Sequence, residues 1–267
     1  LFPEYKAQRE QTPEDIRMSV PIIKEILQAM NIEILEVPGF EADDVIGTYA
    51  TFAGKSGVET YMLTPDKDYG QLVLDNVKMY KPRAFGGGYD ILGPREICEK
   101  YGISHQDQVI DLLGLMGDSA DNIPGCPGVG EKTAVKLINE FGNIDNLLEN
   151  TDKLKGALQK KIIENTEKIR LSRKLAVISK DVPTDVNIEK LEKKEISAAD
   201  AVLDFLGRQE FADRQLTDEE YEIIKGHPSI SYNLVLYLID LLATTGSSDA
   251  VEIFLPFRLP ASGSFPN

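Results

Sequence analysis

The stretch GDSADNIPGCPGVGEKTA, residues 117–134, decides how this chain is read. From Asn122 to Gly130 it is dense in Gly and Pro, which break regular elements and mark a boundary. Upstream, residues 106–116 predict an apolar helix leading into Gly117. Downstream, Ala134, Leu137, Ile138 and Phe141 recur at helical spacing and predict a helix over residues 132–141, closed by Gly142. Lys132 and Lys136 are left on the open side of that helix. A Gly-Val-Gly turn before a helix lets backbone N–H groups approach a phosphate, and the helix N-terminus adds favourable partial charge. This is the logic of a helix-hairpin-helix. An ATP-binding P-loop is the obvious competitor, because Gly125 and Gly130 have its separation, but Glu131 stands where that motif requires Lys. A purely structural turn is the bland alternative.

Working outward, Thr12-Pro13-Glu14-Asp15 reads as a helix start, with Thr12 at the N-cap and Pro13 at the first helical position. Ile16, Val20, Ile23, Leu27 and Met30 continue it, and Pro21 predicts a kink. Residues 32–37 predict a strand ended by Pro38-Gly39, residues 41–54 a helix, and residues 58–63 a strand leading into Pro65-Asp66. Strand alternating with helix implies a parallel sheet. Residues 85–89, with three consecutive glycines, predict a loop. Beyond the hairpin the chain reads as helical and polar, Lys-rich over residues 153–174. After Leu216 the character changes again, with an apolar run over 234–243 and a Pro, Ser and Gly-rich end. Three units follow: residues 1–116, 117–216 and 217–267.

The 267 residues can bury a sizeable core, and no run of about 18 apolar residues suggests a membrane span. Cys98 and Cys126 lie near no second Cys or His at ligand spacing, which points to buried thiols in a reducing compartment and to the cytoplasm. The net charge of −15 argues at first sight against a nucleic-acid partner. Carboxylates clustered around divalent cations weaken that objection, since bound metals supply the local positive charge.

Three carboxylate groups stand at the ends of predicted elements: Glu41, Asp43 and Asp44 at a helix start, Asp66 and Asp68 after a strand, Asp118 and Asp121 after a helix. Two-metal phosphodiester hydrolysis needs oxygen ligands converging from several elements. Each group alone also has a structural explanation, because acids favour helix N-termini and Asp favours turns. Tyr5, Lys6, Arg9 and Arg17 could contact phosphates or lie idle on the surface. His105 receives no role. Residues 216–228, around His227, look like a piece of the HD-GYP phosphodiesterases, but no His-Asp pair completes such a site.

The segments at residues 2–6, 41–48, 64–73, 117–125 and 128–134 resemble, in order and spacing, the 5′-nuclease domain of bacterial DNA polymerase I, in the flap endonuclease superfamily. The resemblance spans about residues 1–210. It implies an α/β fold: a PIN-like parallel-sheet nuclease core with a helical arch, then an all-helical helix-three-turn-helix DNA-binding domain. It implies a monomeric, structure-specific 5′-3′ exonuclease and flap endonuclease acting on flapped, nicked or primer-bearing DNA in replication and repair. Two Mg2+ or Mn2+ ions are expected, with K+ at the hairpin. By resemblance, Glu41, Asp43, Asp44 and Asp66 serve the first metal, and Asp68, Asp118 and Asp121 the second. Lys6 is the arch lysine, flanked by Tyr5 and Arg9, and Gly128, Gly130, Lys132, Thr133 and Lys136 hold DNA.

The resemblance also implies a strand, two metal-binding aspartates and an arginine before the position of Leu1, so the chain is expected to be N-terminally truncated relative to the family and slowed in cleavage. Residues after Leu216 match nothing in it. Alternative readings are a catalytically impaired DNA-binding fragment, a PIN-type ribonuclease and a structural scaffold.

Overall fold

The computed structural model describes residues 2–9, 11–83 and 88–191. The expected tail, its apolar run, His227 and the glycines of residues 86–87 lie outside these residues.

Helix α1 (Glu14–Ala29) runs as one element through Pro21. It starts one residue later than the capping pattern predicts: Pro13 occupies the N-cap and offers no side-chain acceptor. Residues 32–37 pair with no strand among the described residues and are irregular, so the expected first strand is absent. Apolar content alone does not make a strand; a ladder partner must satisfy its backbone. Helix α2 (Ala42–Lys55) follows as expected, with Glu41 at its N-cap and Val45, Ile46, Tyr49, Ala50 and Ala53 on its buried side.

Strand β1 (Thr60–Leu63) pairs in parallel with β2 (Val77–Pro82), Thr60 opposite Val77 and Leu63 opposite Tyr80. A tight 3-10 turn over Lys67–Leu72 lies between them. Strand β3 (Tyr89–Leu92) then pairs antiparallel with β2. The sheet is therefore mixed rather than purely parallel: the connection from Pro82 to Tyr89 is too short for a crossover and only reverses the chain. Tyr89 belongs to that strand, not to a loop.

The rest is helical: α3 (Pro94–Tyr101), α4 (Gln108–Met116), α5 (Glu131–Phe141), α6 (Ile144–Glu149), α7 (Gly156–Glu164) and α8 (Thr166–Ala176). Helices α4 and α5 appear where the periodicity puts them, and Gly142 ends α5 with positive φ. One continuous core joins Ile46, Met62, Val77 and Met79 of the sheet layer to Leu112, Leu137, Ile144, Ile162 and Ile169 of the helices. It crosses residue 116 without a break. Helix α4 lies within it, Leu112 and Leu115 being almost fully buried between the 3-10 turn and α8.

Candidate active site

Each acid group owes its position to a local device. Glu41 ends an extended approach to α2, so Asp43 and Asp44 fall in the helix's first turn, where the dipole favours them. Asp66 caps the 3-10 turn by accepting the Asp68 amide at 3.0 Å, and its own amide donates to Thr64 Oγ1 at 3.1 Å. Asp118 and Ile123 exchange both backbone hydrogen bonds, at 2.9 and 2.7 Å, closing a tight loop that carries Asp118 and Asp121. That loop exists because Gly117 and Gly125 touch. Both have positive φ, and a Cβ on Gly117 would sit 2.4 Å from the Ile123 carbonyl oxygen.

The N-terminal turn crosses from one acid group to another. Lys6 Nζ lies 2.5 Å from Glu41 Oε2, and the Tyr5 hydroxyl donates to the same oxygen at 3.3 Å. The Lys6 amide donates to the Asp121 carbonyl at 3.0 Å, and Arg9 Nη2 lies 2.5 Å from Asp121 Oδ1. Asn122 Nδ2 donates to the Glu4 carbonyl at 2.6 Å, and Gln8 to that of Ser119. Glu41 and Asp121, eighty positions apart, are thus tied to one short turn. Burial pushes the Tyr5 phenol up to about 12, against the pull of Lys6 and with both carboxylates adding to it.

The electrostatics identify the crowded points. Burial first, then Asp66, Asp118 and Asp121, push Asp68 up to about 7, with Lys67 pulling the other way. One of its oxygens, Oδ1, is buried without a hydrogen-bond partner. Burial, Glu41 and Asp44 push Asp43 up to about 6. Asp118 goes the other way: burial raises it, but the ion pair with Lys67 and the Ala120 amide outweigh that and hold it below the usual carboxylate range.

The seven acids therefore form two neighbouring groups, Glu41-Asp43-Asp44 and Asp66-Asp68-Asp118-Asp121, bridged by Tyr5, Lys6 and Arg9. Among the described residues no three His, Cys, Asp or Glu side chains are gathered closely enough to hold one ion. Lysines Lys6 and Lys67 and Arg9 engage Glu41, Asp118 and Asp121, and Asp44 Oδ1 accepts the Ser179 amide at 2.7 Å. Lys67, quoted in a motif, is given no role by the sequence reading; its place between two aspartates is the signal that could have found it.

The hairpin is built as expected. Gly130 is the N-cap of α5 and offers no side chain, and the first intrahelical bonds run from the Thr133 and Ala134 amides to its carbonyl at 3.0 and 2.9 Å. Nothing lies within 4 Å of a Cβ built on Gly130. Gly128, with φ of 78°, is hemmed in: a Cβ there would meet the Lys161 ammonium at 2.5 Å. Lys161 and Lys168 also face Cys126, whose thiol burial pushes up against their pull. The turn thus has Lys161 of α7 and Lys168 of α8 close by it, a convergence that no local spacing announces.

Residues 1–102 match the family model "5'-3' exonuclease, N-terminal resolvase-like domain" and residues 104–199 the model "5'-3' exonuclease, C-terminal SAM fold". DNA polymerase I of Bacillus subtilis is 42% identical over 192 residues, 72% of this chain and 22% of that protein. The thermostable DNA polymerase I of Thermus aquaticus is 40% identical over 207 residues, 78% of this chain and 24% of that protein. The chain thus spans less than a quarter of the curated relatives it matches. Among solved structures, zinc-bound T5 5'-exonuclease aligns at TM-score 0.55 and 19% identity, covering 89% of this chain and 78% of that one. The Rad2 catalytic core with DNA substrate aligns at 0.51 and 18%, covering 82% and 75%. At such identities the likeness speaks for the fold.

Proposed function

The chain belongs to the 5′-3′ exonuclease family, and on that premise we propose that it is a structure-specific 5′-3′ exonuclease and flap endonuclease, hydrolysing DNA phosphodiester bonds with divalent cations. One observation carries the reading: Asp68 keeps a buried oxygen without a partner beside Asp66, Asp118 and Asp121. A buried acceptor facing three further acids wants a cation. The donor set is all oxygen, which suits Mg2+ or Mn2+ rather than a thiolate-seeking ion. T5 5'-exonuclease, a fold relative, has been solved with divalent metal ions.

No three of the acids are yet close enough to hold an ion, so Asp66, Asp68, Asp118 and Asp121 would draw in around one ion and Glu41, Asp43 and Asp44 around another. Asp66, given by resemblance to the first metal, is grouped here with Asp68, whose amide it accepts. Divalent ions supply Lewis acidity, activating water and stabilising the leaving oxygen. The protein's own groups do the rest. Lys6 and Arg9, already beside both acid groups, are cations of the right sign and place to take a DNA phosphate. The Gly128 turn, the first-turn amides of α5, Lys132, Lys136 and Thr133 grip the duplex backbone without reading bases, so selection is by DNA shape. K+ at the hairpin and a monomeric state belong to the same reading. A cytoplasmic place belongs to this reading too, because its substrate is DNA; separately, no helix of the described residues is long and apolar enough to cross a membrane.

A second reading, duplex binding without cleavage, draws on the ion pairs that engage Glu41, Asp118 and Asp121. Incubating 5′-flap DNA with the chain in Mg2+ and in EDTA separates the two. Mg2+-dependent release of the 5′ strand is the expected result; retained binding without cleavage favours the second reading.

A further inference from the structure

Helix α8 joins the two halves of the site. At its middle, fully buried Ser172 accepts the Gly125 amide at 2.8 Å, fixing the loop that opens the hairpin. At its end, the chain continues as a strap over residues 176–182 that lies across both acid-bearing elements. Gln71, 1% exposed, donates to the carbonyls of Asp68 at 3.0 Å and Ala176 at 2.9 Å, and accepts the Ile178 amide at 2.9 Å. The Ser179 amide donates to Asp44 Oδ1 at 2.7 Å. The Val182 amide donates to Thr48 Oγ1 at 3.1 Å, while the Thr48 hydroxyl donates to the Asp44 carbonyl at 2.9 Å.

The strap lies so close to α2 that only a glycine fits beneath it: a Cβ on Gly47 would meet Ile178 Cγ2 at 2.7 Å and the Ser179 carbonyl oxygen at 2.8 Å. The bonds of Gln71 with Ala176 and Ile178, of Asp44 with Ser179 and of Thr48 with Val182 each span more than a hundred residues of sequence. Packing alone would be served as well by apolar side chains, since a polar network earns nothing unless it fixes geometry. What this one fixes is one acid from each group: the backbone of Asp68 and the carboxylate of Asp44.

We infer that Gln71, Thr48 and the 176–182 strap are positioning groups, which hold Asp44 and Asp68 in register with the duplex-binding hairpin through α8. The inference rests on the nuclease reading above. Gripping of the duplex at the Gly125–Gly130 turn and placement of the metal-binding acids are set by the middle and the C-terminal end of one helix. Partners of metal ligands, although they touch no metal, commonly change its affinity by about 10- to 100-fold when removed.

The test uses the full chain and three variants: Gln71→Met, which keeps the volume and removes the polar groups, Thr48→Val, and the conservative Thr48→Ser. Mn2+ affinity is read by the electron paramagnetic resonance of free Mn2+, duplex binding in EDTA by fluorescence anisotropy, and flap cleavage as kcat and KM. Gln71→Met and Thr48→Val should lose about tenfold in Mn2+ affinity and lose kcat, with KM and EDTA duplex binding near the wild type. Thr48→Ser should restore both losses of Thr48→Val. Folded variants with wild-type Mn2+ affinity overturn the inference alone. Equal loss of Mn2+ and duplex binding, unrescued by Thr48→Ser, overturns it too, because that is general loosening. A wild type that neither binds Mn2+ nor cuts overturns the nuclease reading and this inference with it. If Gln71→Met fails to fold, the Thr48 pair decides.

Discussion

Replacing Asp68 by Asn should stabilise the metal-free protein at pH 8 and flatten its dependence on pH. Burial and the neighbours Asp66, Asp118 and Asp121 raise Asp68 from 3.8 to about 7 against the pull of Lys67, and burial, Glu41 and Asp44 raise Asp43 to about 6 against Lys6. For a carboxyl raised on folding, the folded state holds the proton more tightly than the unfolded chain. Its stabilising contribution is complete below about pH 4 and is lost as the pH rises through the folded value. Between pH 5 and 8, Asp68 loses about two units at roughly 1.4 kcal/mol each, an upper limit near 3 kcal/mol, and Asp43 adds about 1 kcal/mol. Asp118, held low, titrates below this window. Urea unfolding in EDTA at pH 5, 6.5 and 8 measures the slope. The wild type should lose a few kcal/mol and Asp68→Asn should keep most of it, while saturating Mn2+ should stabilise the wild type more than the variant. A wild type equally stable at pH 5 and 8, or a variant with an unchanged slope, would refute the crowding argument.

Gly117→Ala must adopt positive φ and place a Cβ 2.4 Å from the Ile123 carbonyl oxygen; thermal unfolding should show a loss of about 2–5 kcal/mol. Leu112→Ala, in the almost closed contact of α4 with its neighbours, should cost about 2–5 kcal/mol in urea titration, and a value below 1 would misplace the core. The double variant Lys132→Ala, Gly130→Val should weaken duplex binding at every sequence alike and lower its salt slope by about one, as read by anisotropy across a NaCl series.

The helices over 106–116 and 132–141 were legible because the apolar period and the closing glycines agree, so local and global preference coincide. Residues 32–37 misled for the opposite reason: a strand is a property of its partner, and nothing in a single segment records whether a neighbour will pair. The reversal from β2 into β3 was hidden in the same way, since the alternation of element types says nothing of the direction of the last strand. At the site, the residue types of all seven acids could be picked out, and so could Lys6 beside them. Which of them a lysine would engage could not be read, because Lys67 reaches Asp118 across fifty-one positions. Gln71 lies within the 64–73 segment but was given no role, and Ser172 and Ser179 left no trace at all. Their roles arise where α8 returns to the sheet, and a buried glutamine looks in sequence like any surface one.

The central claim is that these acids serve phosphodiester hydrolysis rather than only helix starts and ion pairs. The direct measurement is single-turnover cleavage of a 5′-labelled flap duplex by the chain, in Mg2+ against EDTA. The flap strand should be released in Mg2+ and not in EDTA, and Asp68→Asn should lower the rate at least about a hundredfold, as expected when a reacting group loses its placement. Tight duplex binding in both buffers with no product in either would contradict it.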